Sequence, residues 1–253
     1  MAVTPVVSLR DVSVRYGATP ALEGANLELC RGERVALAGP SGAGKTTLLS
    51  LLNGTLFPAT GTVEVLGHDL AQLRPRELRR VQARVGTVHQ QFDLVGPLRV
   101  VHNVNAGRLA AWPLAKAAWS LLSPREASGA EAALRRVGIA EKLYERTDQL
   151  SGGQQQRVAV ARALVQEPEI LLADEPIASL DPGRSGKVMD LLRSLSDESG
   201  MTLVVSLHAF EYARSHCDRV VGMRGGRIVF DAPAPAVTDA MVAALYRIDD
   251  AVR

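Results

Sequence analysis

The stretch GPSGAGKTT, Gly39–Thr47, restricts the fold of this chain more than any other. It fits the pattern G-x-x-x-x-G-K-[ST]. The apolar run RVALA precedes it, and KTTLLSLLNG follows, with leucines at helical spacing up to Asn53-Gly54. That order predicts a buried strand, a tight turn and a helix. Glycines let the backbone wrap closely, so successive N–H groups face one anion, and the helix N-terminus adds its positive end. Lys45 is then placed to reach the outer phosphates of a nucleotide, and the Thr46 hydroxyl to ligate Mg2+. Gly39, Pro40, Ser41, Gly42, Ala43, Gly44 and Thr47 complete the expected phosphate turn.

Two later stretches belong to the same chemistry. EILLADE, Glu169–Glu175, reads as a bulky apolar strand that ends in two acids. Downstream of a phosphate turn, Asp174 is the expected carboxylate anchor for Mg2+, and Glu175 the group that orients and polarises an attacking water. LSGGQQQR, Leu150–Arg157, puts Ser151, Gly152 and Gly153 at the head of a helical pattern. Free N–H groups there make a second anion site.

The rest of the chain gives the setting. VSLRDVSVRY and ALEGANLELC alternate apolar and polar residues and predict an antiparallel pair. GTVEVLG is a further strand, Pro75–Gln82 an arginine-rich helix, and RVGTVHQ a buried strand. From Phe92 to about Leu150 strand patterns give way to helical ones, at Val101–Leu109, Glu126–Val137 and Glu141–Arg146. An α/β rhythm then returns: a helix from about Gly183 to Ser199, the strands TLVVSL, RVVGM and RIVFD, and a short helix over Thr238–Ile248. The expected fold is α/β, with a mainly parallel sheet, an N-terminal antiparallel β subdomain and an inserted α-helical subdomain.

Composition narrows the function classes. Formal net charge is +2 with acids and bases interspersed, which argues against a dedicated polyanion binder such as a nucleic-acid protein. All basic residues but Lys45, Lys116, Lys142 and Lys187 are arginine, the side chain suited to bidentate phosphate and carboxylate contacts. Cys30 and Cys217 lack metal-site spacing and are expected as free thiols in a reducing compartment. The start, MAVTPVVSLR, lacks the pattern of a secretory signal. No window approaches the ~18 unbroken apolar residues of a spanning helix.

Taken together in this order and spacing, these motifs resemble the ATP-binding subunits of ABC transporters, over about Val7 to Asp231. The resemblance implies a P-loop NTPase (RecA-like) core at about 5–92 and 152–232, a helical subdomain at about 93–151 and a tail at 233–253. It makes Tyr16 the aromatic that stacks on adenine. Gln90 matches the glutamine that touches metal and water and links to the membrane partner. LSGGQ, Leu150–Gln154, matches the family signature, and SLD, Ser179–Asp181, the loop that crosses to a second subunit. His208 matches the γ-phosphate sensor. Two copies would stack head to tail and bury ATP between Lys45 of one and Ser151 of the other, with Gly152, Gly153 and Gln154 beside it. Integral permease subunits, and a solute-binding protein acting through the complex, are the implied partners. The implied location is peripheral, on the cytoplasmic face of the cell membrane.

The segment from Gln90 to Pro124, with GRL, a tryptophan-bearing insert and SLL, is similar to the subfamily that serves phosphonate import. His89, Asp93 and the looser run GPLRVVHNVNAG depart from its pattern and put the transporter partner in doubt. Trp112 and Trp119 pack the helical subdomain or help receive a coupling helix of the permease. Importers of phosphate, amino acids or another polar solute, and a soluble ATP-driven switch, stay open as alternatives.

Overall fold

The computed structural model describes residues 5–111, 127–178 and 180–246. Trp112, Trp119, the SLL stretch and Ser179 lie outside the described residues. Along the chain, strands β1 (Pro5–Tyr16), β2 (Thr19–Cys30) and β3 (Arg34–Ala38) lead into helix α1 (Lys45–Leu52). Strands β4 (Thr60–Val65) and β5 (His68–Asp69), helix α2 (Pro75–Gln82) and strand β6 (Val85–Val88) follow. Next come α3 (Val100–Asn105), α4 (Ala127–Arg136), α5 (Gly152–Leu164) and β7 (Ile170–Ala173). The chain continues through α6 (Pro182–Ser199), β8 (Thr202–Leu207), α7 (Phe210–His216), β9 (Arg219–Arg224), β10 (Arg227–Pro233) and α8 (Asp239–Tyr246).

These elements divide into two compact units, one within Met1–Leu73 and Asp174–Arg253, the other within Arg74–Ala173. The first unit holds an antiparallel sheet in the order β2-β1-β4-β5. Its alternating sequence buries Val7, Leu9, Val12 and Val14 of β1 against Leu22, Leu27 and Leu29 of β2. The same unit carries the run β10-β9-β3-β8. There β3 lies parallel to both β8 and β9, and β10 returns antiparallel along β9. Both faces of β3 and β8 are buried, which is why they read as unbroken apolar runs. Leu48, Leu51 and Leu52 of α1 are each no more than 1% exposed. Each such leucine contributes about 2 kcal/mol.

Helix α6 has sharp limits. The Asp181 carboxylate caps it by accepting from Arg184 N–H at 3.0 Å, Pro182 opens it, and Gly200 closes it at φ 65.

In the second unit β6 and β7 pair in parallel. The core there is Val100, Val101, Val104, Leu134, Val158 and Leu171. Helix α2 has the span its sequence predicts. The helix expected over Glu141–Arg146 is instead a 3-10 turn, Ala140–Lys142. The carbonyls of Leu143 and Glu145 accept from Val101 and Val100 N–H at 2.9 and 3.0 Å, so they cannot serve a helix. Helix α3 is likewise shorter than the pattern over Val101–Leu109 suggests, and 3-10 backbone takes over at Ala106–Ala111.

Candidate functional site

In the first unit, the turn between β3 and α1 is shaped by what its glycines touch. At Gly39 (φ 157), a Cβ would stand 2.1 Å from the Met223 carbonyl oxygen. At Gly44 (φ 100), it would stand 2.7 Å from the Ala21 carbonyl oxygen. No side chain fits either place, and the backbone wraps as the sequence demands.

Lys45 is buried, and its Nζ donates to the carbonyls of Gly39 at 2.7 Å and Pro40 at 3.1 Å. Burial pushes its ammonium below the usual lysine range, while the Glu175 and Asp174 carboxylates oppose that shift. The cation is held over the loop by acceptors that an anion can replace. Thr46, next to it, is exposed.

A cavity of about 350 Å3 opens here, lined by Tyr16, Thr19, Pro20, Gly42, Lys45 and Glu175, among others. Tyr16 ends β1 and is 56% exposed, so its ring is free to meet a flat partner. Thus the phosphate turn, the aromatic and one of the two acids line one cleft, although they come from three parts of the sequence.

The acids are fixed from behind. Ser206 Oγ, from β8, donates to Asp174 Oδ1 at 2.6 Å and accepts from Glu175 N–H at 2.7 Å. His208 Nε2 lies 2.5 Å from Glu175 Oε1. Its carbonyl accepts from the Tyr246 hydroxyl of α8 at 3.3 Å. Sequence reasoning passed over Ser206. The signal was there: one hydroxyl inside the apolar run TLVVSL. Asp181, expected in a loop that crosses to a second copy, is the cap of α6 and pairs with Arg184 at 3.1 Å.

The remaining expected residues belong to the second unit. Gln90 is exposed just beyond β6. The chain after it turns through Phe92 (φ 59) and Asp93 (φ 47). Arg162 of α5 donates to both of their carbonyls at 2.6 Å. Burial lowers the pKa of Arg162. The guanidinium therefore fixes a strained turn at a cost in hydration.

At the head of α5, Ser151 and Gln154 form a capping box. Ser151 N–H donates to Gln154 Oε1 at 2.9 Å, and Gln154 N–H donates to Ser151 Oγ at 3.4 Å. Two N–H groups of the expected anion site, those of Ser151 and Gln154, are thus already engaged. A Cβ at Gly152 or Gly153 would meet nothing within 4 Å, so these first helical residues face open space. Behind them Gln155 Nε2 donates to the Thr147 and Leu150 carbonyls, both at 3.2 Å. The buried Asn103 amide donates to Thr147 Oγ1 at 2.8 Å. The signature turn rests on a satisfied polar network.

Comparison with known proteins agrees with the motifs. Residues 22–178 match the family model described as ABC transporter. The chain is 51% identical over 242 residues to the phosphonates import ATP-binding protein PhnC of Anaeromyxobacter dehalogenans, covering 96% of this chain and 48% of that protein. It is 49% identical over 239 residues to phosphonates import ATP-binding protein PhnC 1 of Pseudomonas syringae pv. syringae, covering 94% of this chain and 90% of that protein. The chain therefore spans about half the length of the first relative and nearly all of the second. Among solved structures, it resembles the dimeric post-hydrolysis state of the ATP-binding cassette MJ0796 bound to ADP and Pi. That match has a TM-score of 0.75 and 32% identity, covering 90% of this chain and 98% of the cassette.

Proposed function

Because this chain belongs to the ABC transporter family, we propose that it is the ATP-hydrolysing subunit of a phosphonate importer and works as a pair of copies. The observation that carries the ATPase reading is the shared cleft of Tyr16, Lys45 and Glu175. The relatives named for phosphonate import support the cargo. The dimeric relative bound to ADP and Pi supports the pairing. Among the described residues, no helix is long and apolar enough to cross a membrane. Permease subunits supply the path across it, and this chain docks on their cytoplasmic side.

In this reading the adenine lies on Tyr16, and Gly39–Thr47 surround the phosphates with N–H groups. Lys45 exchanges the carbonyls of Gly39 and Pro40 for phosphate oxygens. Glu175 orients and polarises a water toward the terminal phosphate, and His208 contacts that phosphate. Ser151, Gly152 and Gly153 of the second copy close the site, and Asp181 lies at the junction. Gln90 links the site to the permease.

Thr46 and Asp174 offer hard oxygen donors that Mg2+ takes alongside phosphate oxygens and water, so these residues of the first unit fit that ion. When bound, it neutralises charge on the phosphate oxygens.

The experiment is growth on a phosphonate as sole phosphorus source, with and without this protein, beside uptake of labelled phosphonate and phosphate. Loss of growth and of phosphonate uptake is expected. Loss of phosphate uptake alone would reassign the cargo.

A further inference from the structure

We propose that Ser206 is a positioning residue that sets both acids of the site through one hydroxyl, and with them the use of Mg2+. The inference rests on the reading of Asp174 as the metal carboxylate and Glu175 as the group that polarises water.

Ser206 is 0% exposed, and its neighbours Val204, Val205 and Leu207 are no more than 1% exposed. In such a strand an apolar side chain packs at no polar cost, so a hydroxyl needs partners. It has two. A serine hydroxyl has one proton to give and lone pairs to receive with. Here the proton goes to Asp174 Oδ1 at 2.6 Å, and a lone pair accepts Glu175 N–H at 2.7 Å. The bond directions follow from the donors: Glu175 N–H can only give, so the hydroxyl proton is left for the carboxylate.

Glu175 adds a reason for this grip. Its φ is 46, in the left-handed region that a residue with a Cβ adopts only when held there. The N–H bond to Ser206 is the tether at that residue. It fixes where the Glu175 side chain departs, toward His208 Nε2. The bond to Asp174 fixes the rotation of its carboxylate. Without Oγ, one carboxylate turns freely and one N–H is left without its partner. The outer partners of metal ligands act in this way, and their loss costs about 10–100-fold in metal affinity or activity.

The test uses the full chain. In a Glu175→Gln background, which should not turn over, calorimetry measures ATP affinity in EDTA and in Mg2+. Ser206→Ala is expected to leave affinity in EDTA unchanged and to reduce the gain brought by Mg2+ by about tenfold. In the otherwise wild-type chain, kcat should fall by about 10–100-fold, with half-saturation at higher Mg2+. Ser206→Thr keeps the hydroxyl and should restore both. If Ser206→Ala does not fold, Ser206→Cys replaces it with the same expectations. A wild-type response to Mg2+ would overturn the inference, as would equal losses in EDTA and Mg2+, or a threonine variant as impaired as the alanine one. The underlying reading fails separately: full turnover by Glu175→Gln removes it whatever the Ser206 variants do. An inactive Glu175→Gln beside a Mg2+-indifferent Ser206→Ala removes only the role of Ser206.

Discussion

Glu175 Oε1 and His208 Nε2 stand 2.5 Å apart, although 33 residues separate them in the chain. Both line a cavity of about 270 Å3, walled by Ile177, Leu180, Leu207 and Tyr212, among others. In the proposed reading this carboxylate polarises the attacking water while the imidazole contacts the terminal phosphate. Glu175→Gln should therefore bind ATP and lose turnover by about 10²–10⁴-fold. Without hydrolysis, the ATP-bound pair of copies should accumulate in sedimentation runs. A monomer under saturating ATP would count against the scheme.

Ser151→Arg should abolish hydrolysis while single copies still bind nucleotide. The new side chain stands at the head of α5, where a Cβ at Gly152 or Gly153 would meet nothing within 4 Å. The expected loss is at least about 100-fold, comparable with removing donors aimed at a reacting anion. Mixing it with Lys45→Ala should restore at most one composite site per pair. Unchanged activity in Ser151→Arg alone would exclude a shared site.

Gly39→Ala should destabilise the first unit by at least about 2 kcal/mol, from strain and collision together. The Met223 carbonyl stands 2.1 Å from where the methyl must go, and a backbone atom of β9 has little room to yield. Thermal melts and nucleotide titration read this directly. Gly42→Ala, with nothing within 4 Å of its Cβ, should meet strain alone and lose less.

Acid should weaken the first unit through Asp218. The Arg34 guanidinium bonds its carboxylate at 2.7 and 3.0 Å and holds it below the usual aspartate value of 3.8. A depressed pKa stabilises the folded state above the unfolded value. That contribution fades as pH falls through about 4 toward the folded one. Asp218→Asn should lower Tm at neutral pH and flatten its decline below pH ~4. A parallel decline in both proteins would remove Asp218 from the acid response.

Much of the fold was legible because it rests on local rules. Pro75–Gln82 opens with proline and carries Glu77 three residues past its cap, so the start of the helix could be read. Helix Phe210–His216 could not: it is short, and Ala213 is its one buried residue, too little for a helical period to show. The 3-10 turn at Ala140–Lys142 was misread because its neighbours' carbonyls serve the segment at Val100–Val101, a demand invisible in local pattern.

By itself the sequence determined the phosphate turn, the acids that end an apolar strand and the glycines that lead a capped helix. Each is a short motif whose backbone geometry follows from residue type over a few positions. Only the tertiary structure decided that Ser206 holds Asp174 and Glu175 together, and that His208 engages Glu175. The physical reason is distance. A hydrogen bond between groups some thirty residues apart depends on strand register and packing to within tenths of an ångström, and no local preference carries that information.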